Sequence, residues 1–280
     1  MTLPKTAAAN WGAAFRVAAS EKWRKQSAFM GRAVTEAIVE FAAAKPGMRV
    51  LDLASGTGEP AISLTCVVGL SGRVVGIDLN AELLKIACER GQHRSLQNVS
   101  FHCGDAHHLP FRDNSFDLVT SRLGVMFFED IDLAMSEALR VLKPGGRVAF
   151  LVWGSFEQPY FQTTVGVIMR HVPGAVLSAG TANMFRFSEP RSLGSVLQRA
   201  GFREIHEETR VLPWTWPGTP EEVWEYFRSV TAPFRPLIDR IPPEKLPQVA
   251  AEIHHEIGKY YDGRQVNFGA TMVLASAIKT

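Results

Sequence analysis

The amino-acid sequence predicts an α/β protein with a doubly wound, mostly parallel sheet of seven strands. Short, almost entirely apolar segments alternate with helical segments between residues 48 and 153. Strands of that kind are buried on both faces by the helices that connect them. A glycine-rich turn also joins the first strand to its helix, where doubly wound folds bind a ligand.

Each element has its own signal in the sequence. Apolar residues at helical spacing between residues 10 and 44 predict one or two N-terminal helices, which end before Pro46-Gly47. Further helices are predicted at 61–67, 81–90 and 131–142. The seven predicted strands are 50–53, 74–77, 99–103, 116–121, 147–153, 202–212 and 266–278.

Helical segments after strands 5 and 6 predict a cap. Ser188 is expected to cap one helix, and Thr219 with Glu222 forms a capping box for the next. The inserted helices are expected to cover one end of the sheet, and their aromatic residues either pack as a core or line a substrate pocket. The predicted segments are N-terminal helices at 1–45, a cofactor-binding α/β core at 46–153, a cap at 154–187, and the rest of the sheet at 188–280 with a helical insertion at about 213–263.

The composition excludes several classes of protein. The chain has 30 Lys and Arg against 28 Asp and Glu, a net charge of +2, and its scattered basic residues predict no nucleic-acid partner. No apolar segment reaches the ~18 residues of a membrane span, and the N-terminal residues do not resemble a secretory signal. Cys66, Cys88 and Cys103 show no paired spacing, so we expect a cytoplasmic protein with reduced, mostly buried thiols.

The strongest functional signal is the run 50–61, an apolar strand that turns through two glycines into a helix. The same run also matches the glycine pattern of dinucleotide-binding proteins, so the glycines alone do not identify the ligand. No Lys or Arg occurs from residue 50 to residue 72, whereas Asp52 and Glu59 flank the glycines. Glu59 would repel a pyrophosphate, and Asp52 would attract the ammonium group of S-adenosylmethionine directly or through water. We therefore expect S-adenosylmethionine at this turn.

Two further acidic residues end the next two strands. Asp78, at the tip of the second strand, is placed to accept hydrogen bonds from a ribose diol. Asp105 ends the third strand, where it can accept a hydrogen bond from the adenine amine. Three acidic strand ends in succession favour an adenosyl ligand.

Five segments between residues 50 and 146 together resemble the successive motifs of the class I methyltransferases, in particular the ubiquinone/menaquinone biosynthesis C-methyltransferases. The resemblance covers residues 48–153 well and the remainder only loosely. It implies a Rossmann-like methyltransferase fold and transfer of a methyl group from S-adenosylmethionine, with S-adenosylhomocysteine as product. The matching segments are 50–61, 74–80, Gly104-Asp105-Ala106 with Leu109-Pro110-Phe111, Ser115-Phe116-Asp117 and 140–146.

By position, the resemblance also implies the residues that bind the cofactor. It places glycines under the methionine moiety, Asp78 at the ribose, Asp105 and Ala106 at the adenine, and Ser121 with Arg122 on the pocket floor. Ala54 departs from the pattern, because the family usually has its first glycine there. The full implied set is Asp52, Ala54, Gly56, Thr57, Gly58, Asp78, Leu79, Asp105, Ala106, Ser121 and Arg122.

The sequence leaves the acceptor and the catalytic group open. We expect a small, aromatic or apolar acceptor methylated at a C, O or N atom, and a monomer or a homodimer. No metal site is expected, because the pairs His107-His108 and His254-His255 lack a third ligand at suitable spacing. Two alternatives remain: a nicotinamide-dependent oxidoreductase, and a protein that binds S-adenosylmethionine without methylating. Candidate bases, none of them singled out, are Tyr160, His171, His206, His254 and His255.

Overall fold

The computed structural model describes residue 26 and residues 28–174, 184–230 and 234–280. The described residues fall into two compact units. We call the first the helical unit; it lies within Met1–Val34, Ser155–Ala179 and Val211–Thr271. We call the second the sheet unit; it lies within Thr35–Gly154, Gly180–Arg210 and Met272–Thr280.

Helices and strands alternate through the first half of the chain. The helices are α1 Arg32–Ala42, α2 Ala61–Val68, α3 Ala81–His93, α4 Ile131–Val141, α5 Pro159–Phe161, α6 Val167–His171, α7 Ser192–Arg199, α8 Pro220–Val230, α9 Arg235–Ile238 and α10 Leu246–Gly258. The strands are β1 Arg49–Leu53, β2 Arg73–Asp78, β3 Val99–Cys103, β4 Phe116–Arg122, β5 Leu142–Trp153, β6 Arg203–Trp216 and β7 Val266–Ile278. Short 3-10 turns occupy Val125–Phe127 and Pro243–Lys245, and a π-helical turn, Gln162–Gly166, joins α5 to α6.

The strands of the described residues form one seven-stranded sheet in the order β3-β2-β1-β4-β5-β7-β6. Neighbours from β3 to β5 pair in parallel, whereas β5 and β7 pair antiparallel from Arg147 opposite Ile278 to Trp153 opposite Met272. The chain order reverses between β1 and β4, and in such a sheet ligands bind in the crevice at the carboxyl ends of these strands. Helices lie on both sides of the sheet, and the predicted fold class is confirmed.

Burial explains why the strands form where they do. After an exposed first residue, β1 is buried throughout and β2 is buried up to its last residue, as expected for strands covered on both faces. β6 lies at the edge of the sheet, and its exposed residues include the charged Arg203 and Glu204. Charged residues on an edge strand oppose pairing with another chain.

Several details of the sequence prediction are wrong. Ser188 does not cap a helix: α7 begins at Ser192, its N-cap is Arg191, and the Glu207 carboxylate of β6 accepts hydrogen bonds from the N–H groups of Arg191 and Gly194. The three cysteines are free, as expected, but all are exposed rather than buried. Strand β5 begins five residues earlier than predicted, and β6 extends to Trp216. The first part of the predicted N-terminal helices and the loop 175–183 lie outside the described residues.

The helical unit has an aromatic core. The Tyr160 ring lies edge-on to Trp214, Phe227 and Phe268, with centroids 5.9, 5.8 and 5.7 Å away. All four side chains are buried, so this cluster agrees with the expectation that the aromatic residues pack as a core. The predicted capping box is present, since Thr219 N–H donates to Glu222 Oε2 and Glu222 N–H donates to Thr219 Oγ1.

Within the described part of the chain, no helix is long and apolar enough to cross a membrane. The same residues contain no group of three or more His, Cys, Asp and Glu side chains suited to hold a metal ion.

Candidate functional site

The carboxyl ends of β1 to β4 meet at one edge of the sheet unit. These strands are parallel neighbours, so the residues that follow them must lie side by side. The glycine turn follows β1, Asp78 ends β2, Asp105 follows β3 and Arg122 ends β4. The structure therefore brings the residues implied by the sequence motifs to a common edge.

The glycine turn is tied to its neighbours through the backbone. Ser55 N–H donates to Ile77 O of β2 at 2.9 Å, and Gly58 N–H donates to Ser55 O at 2.8 Å. Gly56 and Gly58 have φ values of +51° and +105°, which favour glycine. A Cβ at Gly58 would lie 2.7 Å from Ile62 Cδ1 and 3.2 Å from Ala87 Cβ. Gly58 is thus required by the packing of α2 and α3, and not only by the close approach of a ligand.

Asp78 connects the turn to the start of α3. Its Oδ2 accepts a hydrogen bond from Gly56 N–H at 2.9 Å, and its Oδ1 accepts one from Asn80 N–H at 2.8 Å. A carboxylate has about four acceptor positions, so two backbone donors leave capacity for hydroxyl groups of a ligand. The next residue, Leu79, is apolar and yet 53% exposed. An acidic group and an exposed apolar surface therefore adjoin at the end of β2.

Asp105 follows β3 and is held by His107. The backbone N–H of His107 donates to Asp105 Oδ1 at 2.9 Å, and His107 Nδ1 lies 2.6 Å from the same oxygen. Partial burial raises the pKa of Asp105, but the hydrogen bonds from His107 outweigh this effect and bring the pKa below its ordinary value. The carboxylate is ionised near neutral pH, and buried Ala106 follows it.

Asp52 lies fully buried beneath the turn. Its Oδ1 accepts a hydrogen bond from Thr120 Oγ1 at 2.9 Å, whereas its Oδ2 has no partner with hydrogen-bond geometry among the described residues. Burial raises the pKa of Asp52 to about 7, although Thr120, the charge of Arg122 and the Ala61 N–H act in the opposite direction. A buried acceptor that lacks a donor is costly, and a ligand cation or a bound water would satisfy it.

Two of the implied residues also have structural roles. Ser121 is buried, and its hydroxyl donates to Leu53 O at 2.9 Å, which ties β4 to the end of β1. Ala54, where the family usually has glycine, has a φ of +53°. Its methyl group faces Gly124, where a Cβ would lie 2.6 Å from both Ala54 Cβ and Ser121 Oγ. The departure at Ala54 is therefore matched by a glycine at 124.

Arg90 of α3 is a residue of the site region that the sequence analysis missed. Its guanidinium donates to Thr57 O of the glycine turn and forms an ion pair with Glu59 at 2.9 Å, with Arg94 3.9 Å from the same carboxylate. The expectation that Glu59 would repel a pyrophosphate considered only the residues of the turn itself, whereas Arg90 reaches Glu59 from a helix 31 residues away. Glu59 is neutralised and does not exclude a pyrophosphate by its charge.

Two of the candidate bases have other structural roles in the helical unit. Tyr160 is fully buried, and burial raises its pKa well above the ordinary value, which opposes its use as a base near neutral pH. His171 Nε2 lies 2.6 Å from Glu252 Oε2, and Arg170 binds the other oxygen of that carboxylate. These contacts join α6 to α10.

Comparison with known proteins decides the family. The model of the ubiE/COQ5 methyltransferase family matches residues 30–208, more than half of the chain. The chain belongs to this family. The matched residues include β1 to β5 and every residue implied as a cofactor contact.

Individual members of the ubiE/COQ5 family and one solved structure show the extent of the similarity. The ubiquinone/menaquinone biosynthesis C-methyltransferase UbiE of Shewanella piezotolerans is 41% identical over 114 residues, which are 40% of this chain and 45% of that relative. The demethylmenaquinone methyltransferase of Lactiplantibacillus plantarum is 33% identical over 198 residues, 66% of this chain and 78% of that relative. The structure of the YcgJ protein from Bacillus subtilis superposes with a TM-score of 0.58 at 22% identity, covering 88% of this chain and 97% of that one, and shows the same fold.

The family resemblance inferred from the motifs is thereby confirmed, and the methyltransferase prediction is confirmed at the level of the family. The comparisons give no support to the nicotinamide-dependent alternative. The chain spans less than half the length of the Shewanella relative that it matches.

Proposed function

We propose that this chain binds S-adenosylmethionine at the carboxyl edge of β1 to β4 and transfers its methyl group to a small molecule. The observation that carries the proposal is the meeting of Asp52, Asp78 and Asp105 at successive strand ends beside the glycine turn, in a member of a methyltransferase family. Residues 46–153 would form the cofactor-binding part.

The chemistry of these residues fits the parts of the cofactor. The unsatisfied Oδ2 of Asp52 suits an ammonium group, directly or through water, and Gly56, Thr57 and Gly58 offer backbone to the methionine moiety. Asp78 has the acceptors for the ribose hydroxyls, and exposed Leu79 offers an apolar face to the adenine ring. The remaining proposed contacts are Ala54 in the turn, Asp105 and Ala106 at the adenine, and Ser121 with Arg122 on the pocket floor.

In this reaction the protein would mainly position the acceptor against the methyl group of the cofactor. The bound cofactor would supply a reactive sulfonium: the acceptor would attack its methyl carbon in line with the C–S bond, which breaks as S-adenosylhomocysteine leaves. The chain would hold the acceptor aligned with that methyl group and exclude water from the path. No side chain is assigned as a base.

We further propose that the acceptor is a quinone-type ring methylated at carbon. The relatives are named for ubiquinone and menaquinone biosynthesis, and a flat, largely apolar acceptor agrees with the earlier expectation of an aromatic or apolar metabolite. The three free, exposed thiols favour a reducing compartment, and we therefore propose that the protein acts in the cytoplasm.

Calorimetry with S-adenosylhomocysteine and with NADH tests the cofactor. We expect the protein to bind the former, and Asp78→Ala to weaken binding at least ~10-fold, since it removes charge-assisted hydrogen bonds. Asp132→Ala is the matched control, because Asp132 is an exposed carboxylate of α4 that pairs with Arg199. Binding of NADH alone would overturn the proposal.

A second assay tests methyl transfer itself. The protein is incubated with S-adenosylmethionine and a demethylated quinol, and S-adenosylhomocysteine and the methylated ring are measured together. Appearance of both products supports C-methylation of a quinone-type acceptor. Tight cofactor binding without S-adenosylhomocysteine formation on any quinol, phenol or amine tried would favour the non-methylating alternative.

A further inference from the structure

His107 lies between the end of β3 and the start of α4 in the sheet unit. On one side its Nδ1 is 2.6 Å from Asp105 Oδ1; on the other its Nε2 is 3.3 Å from the backbone N of Asp130, the N-cap of α4. The Phe128 ring packs edge-on against the imidazole at 5.7 Å, and the side chain of His107 is only 17% exposed. The imidazole is therefore held on three sides.

The backbone N–H of Asp130 determines the tautomer of His107. A backbone N–H can only donate, so Nε2 must accept and carries no proton. The proton of the neutral ring is then on Nδ1, which donates to Asp105. Asp130 is itself fixed, because its side chain accepts the N–H of Leu133 at 2.9 Å.

Both bonds from His107 go to the same oxygen of Asp105. The backbone N–H and Nδ1 of His107 each bind Oδ1. Among the described residues, no donor binds Oδ2. One carboxylate oxygen is thus anchored to the protein while the other stays available, and the orientation of the carboxylate about its own bond is set.

We propose that His107 is a positioning residue: it orients Asp105 so that Asp105 Oδ2 can accept a hydrogen bond from the exocyclic amine of adenine. The inference rests on the proposed function, in which Asp105 lies at the adenine. A carboxylate oxygen accepts a hydrogen bond from an amine but is repelled by a carbonyl oxygen. His107 should therefore control the preference for a 6-amino purine, and not only the strength of binding.

Two substitutions of His107 each remove one of the two hydrogen bonds of the imidazole and keep the other. Asparagine has an amide nitrogen near the position of Nδ1, so His107→Asn keeps a donor for Asp105 and gives up the bond to Asp130. Glutamine reaches about as far as Nε2, so His107→Gln keeps an acceptor for Asp130 N–H and gives up the bond to Asp105. The probes are S-adenosylhomocysteine and S-inosylhomocysteine, in which a carbonyl oxygen replaces the amine. Calorimetry is done at the same pH for every variant.

The wild-type protein and His107→Asn are expected to bind S-adenosylhomocysteine more tightly than S-inosylhomocysteine. In His107→Gln the ratio of the two dissociation constants should fall ~10-fold. His108→Asn is the matched control: this neighbouring side chain is exposed, and both affinities should stay unchanged. An equal weakening of both ligands in His107→Gln, or an unaltered preference, would overturn the positioning role. Failure of the wild-type protein to bind S-adenosylhomocysteine would instead overturn the proposed function, and this inference with it. Thermal unfolding of each variant shows that it is folded.

Discussion

Asp52 is an acidic residue whose side chain is fully buried. Burial raises its pKa from 3.8 to about 7, so between about pH 4 and 7 the folded protein keeps a proton that the unfolded chain has released. The contribution of Asp52 to the free energy of unfolding therefore falls as the pH rises through this window and is constant above it. The carboxylate weakens the fold at the pH at which it would best attract a cation.

Replacing Asp52 by Asn should remove this pH dependence. Asn keeps an oxygen that can accept the hydrogen bond from Thr120 and carries no charge, so above about pH 7 the free energy of unfolding should rise by about 2–4 kcal/mol. Urea unfolding at about pH 5 and about pH 8 measures the change. Asp132→Asn, at an exposed position, should leave the profile as it is. Parallel profiles for wild type and Asp52→Asn would contradict a raised pKa.

The pair Ala54 and Gly124 should behave as a unit. Gly124→Ala places two methyl groups 2.6 Å apart, and we expect it to lower the free energy of unfolding by about 1–3 kcal/mol. Adding Ala54→Gly removes one methyl group and should restore about 1 kcal/mol, the remainder being the contact with Ser121 Oγ. A double-mutant cycle by chemical unfolding gives the coupling energy, and strictly additive effects would show that the two positions are independent.

At the scale of elements, the sequence predicts the boundaries of a helix or strand well where the signal for them is local. The structure places β7 at Val266–Ile278, the predicted range, because its apolar run is buried almost throughout. Helix α7 was placed too early, because its first turn is capped by Glu207 from a distant strand and not by a local Ser. A local capping residue can be recognised from sequence spacing; a cap supplied by tertiary contact cannot.

The capping box of α8 gives a test of one such local signal. Thr219→Ala removes the hydroxyl that accepts the Glu222 N–H and should cost about 1 kcal/mol of stability. Thr219→Ser keeps that acceptor and is the control. Thermal unfolding followed by circular dichroism compares the two variants, and equal losses would mean that the hydroxyl does not cap the helix.

At the scale of the whole molecule, the sequence predicts which residues lie at the carboxyl edge of the sheet but not which side chains are in contact there. The parallel order of β1 to β4 follows from alternating elements, and it brings Asp78 and Asp105 together. The ion pair of Arg90 with Glu59 could not be predicted, because it depends on how α3 lies against the turn. The expected burial of the thiols rests on residue type and on their place in predicted helices and a strand, and the exposure of Cys66, Cys88 and Cys103 shows the limit of that rule.

Thiol labelling over the whole chain tests both the exposure and the proposed site. Cys66, Cys88 and Cys103 should all react with iodoacetamide in the folded protein, because all three are exposed. Cys103 directly precedes Gly104-Asp105, so S-adenosylhomocysteine should slow its labelling several-fold and leave Cys66 and Cys88 unchanged. Mass spectrometry of peptides gives the three rates. Equal rates at Cys103 with and without saturating ligand would place the ligand elsewhere.

The sheet order also sets a sequence of events during protein synthesis. β7 lies between β5 and β6, so the ribosome completes β6 well before it makes the strand on which β6 will pair. Until then the edge of β5 and the edge of β6 that will each face β7 lack their native partner. Unpaired strand edges favour aggregation, so we expect the nascent chain to be prone to aggregate between the synthesis of β6 and that of β7.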